Sequence, residues 1–139
     1  RDVTGIEAHA HVPLLFYYHD STTMTELALW FSGNTLLNGS HLPLAPDQIA
    51  RASVSIKRET KRFGFGVALS AEHAAERFDF SGLACEEYTV FGVAGFVKYL
   101  GLACIMRLNN VFDEDYAYAA GFPMPARNFD VSIKWEFWD

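Results

Sequence analysis

Polar and apolar residues alternate along almost the whole of this chain. In its closing stretch Phe129, Val131, Ile133, Trp135 and Phe137 fall on one side and Asp130, Ser132, Lys134 and Glu136 on the other. Successive side chains of an extended strand point to opposite faces, so a period of two predicts a strand with one apolar and one polar face. The same reading predicts strands over roughly 4–16, 23–34, 49–57, 63–73, 88–99 and 101–112. In the first, Ile6, Ala8, Ala10, Val12 and Leu14 oppose Glu7, His9 and His11; in the fourth, Phe63, Phe65, Val67, Leu69 and Ala71 oppose Gly64, Gly66, Ala68, Ser70 and Glu72. Two large rings break the rule, Trp30 and Phe96, each standing on a polar face. The expected fold is all-β, with about seven long antiparallel up-and-down strands of about 9–12 residues. Such strands are longer than the usual soluble strand and long enough to cross a bilayer at a tilt.

The connections sort into two kinds that alternate. "YHDST", "RETKR" and "YLG" are short; "TLLNGSHLPLAPDQ", "AAERFDFSGLACEE" and "DEDYAYAAGFPMPAR" are long. Tight turns at one end and long loops at the other are the asymmetry of an outer-membrane barrel. Aromatic residues follow the same division. Tyr17, Tyr18, Phe63, Phe65, Tyr99, Trp135 and Phe137 fall near the short turns, and Phe31, Tyr88, Phe91, Phe112 and Phe129 toward the long loops, as two interfacial belts would. Gly64, Gly66, Ala68, Gly92, Ala94 and Ala103 keep the polar faces small, which suits a wide lumen.

Composition narrows the partners. Half of the 139 residues are hydrophobic and 15% aromatic, yet mean hydropathy is close to zero, as expected when every strand is half polar. There is no apolar run of about 18 residues, so no transmembrane helix is expected. The net charge of −6 makes nucleic acid a poor partner, and the basic run "KRETKR" at 57–62 carries Glu59 and reads as a solvated turn. Cys85 and Cys104 lack metal-ligand spacing and are expected as free thiols.

About seven strands are too few for a closed barrel of this kind, and bacterial barrels have an even number. Residues 1–139 are therefore expected to be the C-terminal part of a larger transmembrane barrel domain, with earlier strands outside this sequence. The run "RLNNVFDEDYAYAAGFPMPARNFDVSIKWEF" resembles the C-terminal end of TonB-dependent outer-membrane receptors. The matching residues are Asn110, Phe112, Asp113, Tyr116, Gly121, Phe122, Pro123, Pro125 and Arg127, with Ala126 where the family usually has glycine. Weaker matches are Gly5 and Glu7 of "TGIEAHA", and Leu42, Pro43 and Pro46 of the "LPLAPDQ" loop.

The resemblance implies a barrel of about 22 strands in the bacterial outer membrane, with a plug domain that lies outside residues 1–139. It also implies uptake of a bulky nutrient, a metal chelate such as an iron siderophore, haem, or a corrin such as cobalamin. The implied partners are outer-membrane lipid, the barrel-assembly machinery that reads a terminal aromatic strand (here Trp135 and Phe137), and, in the parent protein, a TonB-type energy-coupling protein.

Catalytic chemistry finds little footing, and the chain is expected to be neither an enzyme nor the holder of a cofactor. The carboxylates of "DEDY" (113–116) are adjacent and exposed, without the contrast in environment that an acid and base pair needs. Glu7, His9 and His11 share a strand face where two histidines could take a metal with a third ligand, but a wet lumen needs no metal to explain them. Ser21, Ser40 and Ser81 lie in no nucleophile motif, and "GFG" at 64–66 opens no helix that could hold phosphate. Loop aromatics are the better ligand candidates: Phe78, Phe80, Tyr116, Tyr118 and Phe122 could stack on a bulky ligand. The competing reading is a soluble, secreted β-barrel or sandwich that binds a small apolar ligand. It predicts a dry core built from Ile6, Val54, Val67, Val93 and Val131.

Overall fold

A computed structural model describes residues 3–18, 21–36, 47–78, 82–119 and 121–135. It is all-β. Seven strands form one antiparallel sheet: β1 (Val3–Tyr18), β2 (Ser21–Leu36), β3 (Gln48–Thr60), β4 (Phe63–Ala74), β7 (Tyr88–Tyr99), β8 (Leu102–Asn109) and β11 (Asn128–Trp135), in that spatial order. Two small ribbons interrupt the long connections, β5 (Arg77–Phe78) with β6 (Ala84–Cys85), and β9 (Ala117–Ala119) with β10 (Phe122–Pro123). No helix among the described residues is long and apolar enough to cross a membrane, which says nothing of strands. Among the described residues β1 and β11 each pair on one side only, so the sheet has two open edges.

The register carries the alternation across the whole sheet. Val12 pairs with Leu27, Leu27 with Val54, Val54 with Leu69, Leu69 with Val93, Val93 with Leu108 and Leu108 with Phe129. A one-residue slip anywhere would send an apolar set to the other face, so the pattern itself pins the pairing. Among the described residues nothing covers this face. Leu69 is 50% exposed, Val54 43% and Val93 37%, and among the described residues only Ala74, Cys85 and Tyr88 are buried hydrophobics. Among the described residues, the five named for the dry core of the competing reading all lie open, from Val93 at 37% up to Ile6 at 70%. From Ile6 to Phe16 the face spans about 33 Å along the strand, or about 25 Å at a 40° tilt, the height of a barrel's lipid-facing band.

The short connections are tight. Residues 61–62 reverse the chain between β3 and β4, with the Phe63 N–H donating to Thr60 Oγ1 (3.0 Å). Leu100 and Gly101 reverse it between β7 and β8, both at positive φ (45° and 84°) as a type I′ turn requires. The Leu100 N–H also donates to the Arg62 carbonyl (2.9 Å), tying the two turns together.

Several sequence expectations need adjustment. β1 and β2 run to 16 residues because their pairing is unbroken from Val3↔Leu36 to Tyr18↔Ser21. β8 is only 8 residues, ending where Asn110 turns left-handed (φ 51°). The basic run is not all turn: β3 continues through Thr60, leaving only Lys61 and Arg62 in the reversal. Tyr88 does not belong to an outer aromatic belt. It shares a face with Val90, Gly92 and Ala94, and is 4% exposed. Phe96 explains its own exception: its ring occupies the space above Gly66, where an added Cβ would lie 2.5 Å from Phe96 Cε1. Glycine is needed at 66 because the ring across the strand fills the place of a side chain.

Candidate functional site

The polar face is organised toward the long-loop end. A ladder of side chains crosses five strands there. Trp30 Nε1 donates to Glu7 Oε1 (2.6 Å), the Arg51 guanidinium lies over the Trp30 ring (4.7 Å to its centroid), and Arg51 Nε donates to Glu72 Oε2 (2.5 Å). The Tyr88 hydroxyl closes the ladder on Glu72 Oε1 (2.7 Å). The strands place these groups by register, since Trp30↔Arg51 and Arg51↔Glu72 are direct pairs, while Glu7 and Tyr88 stand two residues off, beside the direct partners His9 and Val90. Trp30 therefore stands on the polar face as the platform of an arginine that a carboxylate also holds.

Above the ladder the two long connections described here are clamped together. Arg77, 3% exposed, donates through Nε to the Tyr118 carbonyl (2.8 Å) and through Nη2 to the Ala117 carbonyl. Its guanidinium lies 5.2 Å from the Tyr88 ring and 5.5 Å from the Tyr118 ring. Tyr88, Tyr116 and Tyr118 pack as a triad, with centroids 4.5 Å (88–116), 6.0 Å (88–118) and 5.8 Å (116–118) apart. A buried cation is tolerated only when its donors are met, and carbonyls and ring faces do that here. Burial pushes the Tyr116 phenol above its ordinary value, with Tyr118 and Glu72 adding to the rise.

The last loop has its own lock. Asn110, 5% exposed and left-handed, donates through Nδ2 to the carbonyls of Glu114 (2.8 Å) and Pro125 (3.4 Å), and accepts the Glu114 N–H on Oδ1 (2.9 Å). Asp113, also left-handed (φ 61°), accepts the Arg127 N–H on Oδ1 (2.7 Å). Asn and Asp tolerate this backbone and hydrogen-bond locally, which is why they occupy the turn. Phe112 is exposed and meets Phe91 edge-on at 5.3 Å. Gly121 supplies a positive φ of 78° before β10 begins.

Beneath the folded loop lies an open cavity of about 770 Å³, lined by His9, Trp30, Arg51, Asn109, Tyr116 and Tyr118 among others. Of the loop aromatics marked in the sequence, Tyr116 and Tyr118 meet at this cavity. Phe78 sits half-buried in the β5–β6 ribbon and Phe122 is 73% exposed, so neither joins them. Phe80, Ser40, Ser81, Leu42, Pro43, Pro46, Phe137 and Trp138 lie outside the described residues. His11 pairs with Glu26 (Nε2–Oε1 3.0 Å), and no group of three metal-ligating side chains exists among the described residues. Cys85, buried, and Cys104, half-buried, are free cysteines. The sequence reading missed Arg77 and the inward place of Tyr88. The parity of Tyr88 with Val90 and Gly92 was a usable signal; for Arg77 a loop position gave none.

Compared with known proteins, the chain matches no family model, no curated protein and no solved structure.

Proposed function

We propose that this chain forms a wall of a bacterial outer-membrane β-barrel, the C-terminal part of a receptor similar to the TonB-dependent family. Its parent would take up a bulky nutrient such as an iron siderophore, haem or cobalamin, and the chain itself would be no enzyme. The observation that carries this reading is the apolar face of the seven-stranded sheet, exposed on every strand, with tight turns at one end and long folded connections at the other. A bilayer would cover that face, and further strands would continue the two edges into a barrel. The Asn110 and Asp113 lock supports the reading by giving the resemblance motif a physical reason: its residues fix the fold of the last loop. The cavity beneath, rimmed by Tyr116, Tyr118 and Trp30, is the surface offered to a ligand.

Fluorescence in vesicles made with brominated lipids tests the reading, using variants that keep one tryptophan each. Trp135, 63% exposed on the apolar face, is expected to be strongly quenched, and Trp30, hydrogen-bonded on the polar face, to be spared. Equal quenching of both, or none of either with a chain that is soluble without detergent, would sink it.

A further inference from the structure

The polar face holds a second hollow, one row nearer the short turns than Ser53 and Ser70 of the loop cavity. Two cross-strand rows build it. One runs Ser55, Ala68, Ala94 and Arg107, the other Lys57, Gly66, Phe96 and Ile105, and each residue pairs directly with the next. All share the polar-face parity, so their side chains stand on one side of the sheet. The hollow measures about 260 Å³. Its floor is low because Gly66, Ala68 and Ala94 carry little or no side chain, and the Phe96 ring over Gly66 and the Ile105 side chain give it apolar walls.

Arg107 stands at one end of this floor with its charge uncommitted. Its cross-strand partner Asp130 accepts instead from Asn109 Nδ2 (3.3 Å). Glu26, which faces Ser55 at the other end, is paired with His11 (3.0 Å), and Lys57 Nζ lies 3.5 Å from Glu59. Among the described residues Arg107 makes no ion pair and no side-chain hydrogen bond, whereas Arg51 in the ladder above is held by both Glu72 and the Trp30 ring.

We infer that this hollow binds an aromatic carboxylate, its carboxylate on the Arg107 guanidinium and its ring over Ala68 and Ala94, against the ring of Phe96. A guanidinium fork meets a carboxylate with two parallel hydrogen bonds, and a low floor beside an aromatic ring suits a planar body. β3 and β8 are three strand spacings apart, about 14 Å, which leaves room for such a body with the Arg107 side chain reaching in. A chain of net charge −6 repels anions in general, so holding one takes a local free cation. The site goes beyond the membrane reading, because it lies on the polar face and its binding is measurable whatever the opposite face meets.

The test is isothermal titration calorimetry of the whole 139-residue chain, in dodecylmaltoside or in plain buffer if it needs no detergent, with naphthoate, its neutral counterpart naphthylmethanol, and acetate. A hydrogen bond to a charged group, or the burial of an aromatic ring, is each worth about tenfold or more in affinity. Naphthoate is therefore expected to bind at least about tenfold more tightly than either the alcohol or acetate, and Arg107→Gln to remove its advantage over the alcohol. Arg107→Lys keeps the charge without the fork and should retain part of that advantage, which separates a lost contact from a lost fold. Ala94→Leu fills the floor with Arg107 in place and should weaken naphthoate but not acetate.

Equal affinity for naphthoate and the alcohol overturns the inference, as does an advantage that survives Arg107→Gln. Acetate binding as tightly as naphthoate, or full naphthoate affinity in Ala94→Leu, shows an anion contact without the apolar floor and overturns the aromatic assignment. Trp135 quenching by brominated lipid, read on the same chain, keeps the two proposals apart. Quenching without naphthoate binding removes only this inference, and naphthoate binding without quenching removes only the membrane reading.

Discussion

At the short-turn end the chain reverses from Thr60 to Phe63 and from Tyr99 to Leu102 with two intervening residues each, whereas at the other end Asn110 to Arg127 fold back over the sheet. The first end is held by backbone geometry: a type I′ turn at Leu100–Gly101 and a bridging hydrogen bond from Leu100 to Arg62. The second is held by side chains, namely Arg77 on two carbonyls, three tyrosines packed at tilted and edge-on angles, and Asn110 and Asp113 in left-handed conformations. Backbone turns leave little to vary. A loop fixed by side chains can be reshaped residue by residue while the wall below stays constant, and variable recognition is best built on such loops.

The largest expected effect is on the wall the two ends share. Val54→Lys puts a cation on the apolar face and should destabilise the chain in lipid vesicles by about 2–4 kcal/mol, while its neighbour Ser55→Lys, on the polar face across from Glu26, should cost almost nothing. Urea titration of the two variants in the same vesicles reads the difference, and equal losses would mean that both faces meet the same surroundings.

Next comes the loop end. Asn110→Ala removes three hydrogen bonds from a buried position and should cost about 2 kcal/mol, with limited proteolysis now cutting between 111 and 127 and leaving the turns at 61–62 and 100–101 intact. Cleavage spread over both ends would erase the contrast. Gly66→Ala should then cost about 1–3 kcal/mol by forcing the Phe96 ring aside, and Phe96→Ala should cancel most of that cost in a double-mutant cycle.

Smaller effects sharpen the picture. Leu100→Asn relieves a branched side chain of its left-handed backbone and should stabilise the turn by about 1 kcal/mol, read in the same urea titration. The Tyr116 phenol is raised on folding, so its contribution to the closed loop is complete below the ordinary tyrosine value of about 10 and fades as pH climbs through the raised one. Tyrosinate absorbance titrated in the native chain and in Asn110→Ala should show the late phenol only in the former.

The wall was legible in the sequence because alternation is a local signal that every strand repeats; Ile6, Val54, Leu69 and Ile133 each fall on the expected face. The alternation of short and long connections was legible for the same reason. The loop site was readable only in part. Asn110, Asp113 and Tyr116 stood out in the motif and Tyr118 as a loop aromatic, but their partners lie far along the chain: Arg77 reaches Tyr118 across 41 residues. No local pattern carries such a contact. Trp30 and Phe96 were visible as anomalies, and each proved to answer a neighbour on the next strand, Arg51 and Gly66.

The bond from the Leu100 amide to the Arg62 carbonyl bears on the order of events as the sheet forms. A two-residue turn already in its required conformation lets a hairpin zip within microseconds, long before distant segments meet. The β7–β8 and β3–β4 hairpins can each form alone, and their turns then latch side by side, bringing β4 and β7 into register before the segment 75–87 between them has settled. Assembly would proceed from the tight end upward, and the tyrosine cluster would be the last part to close.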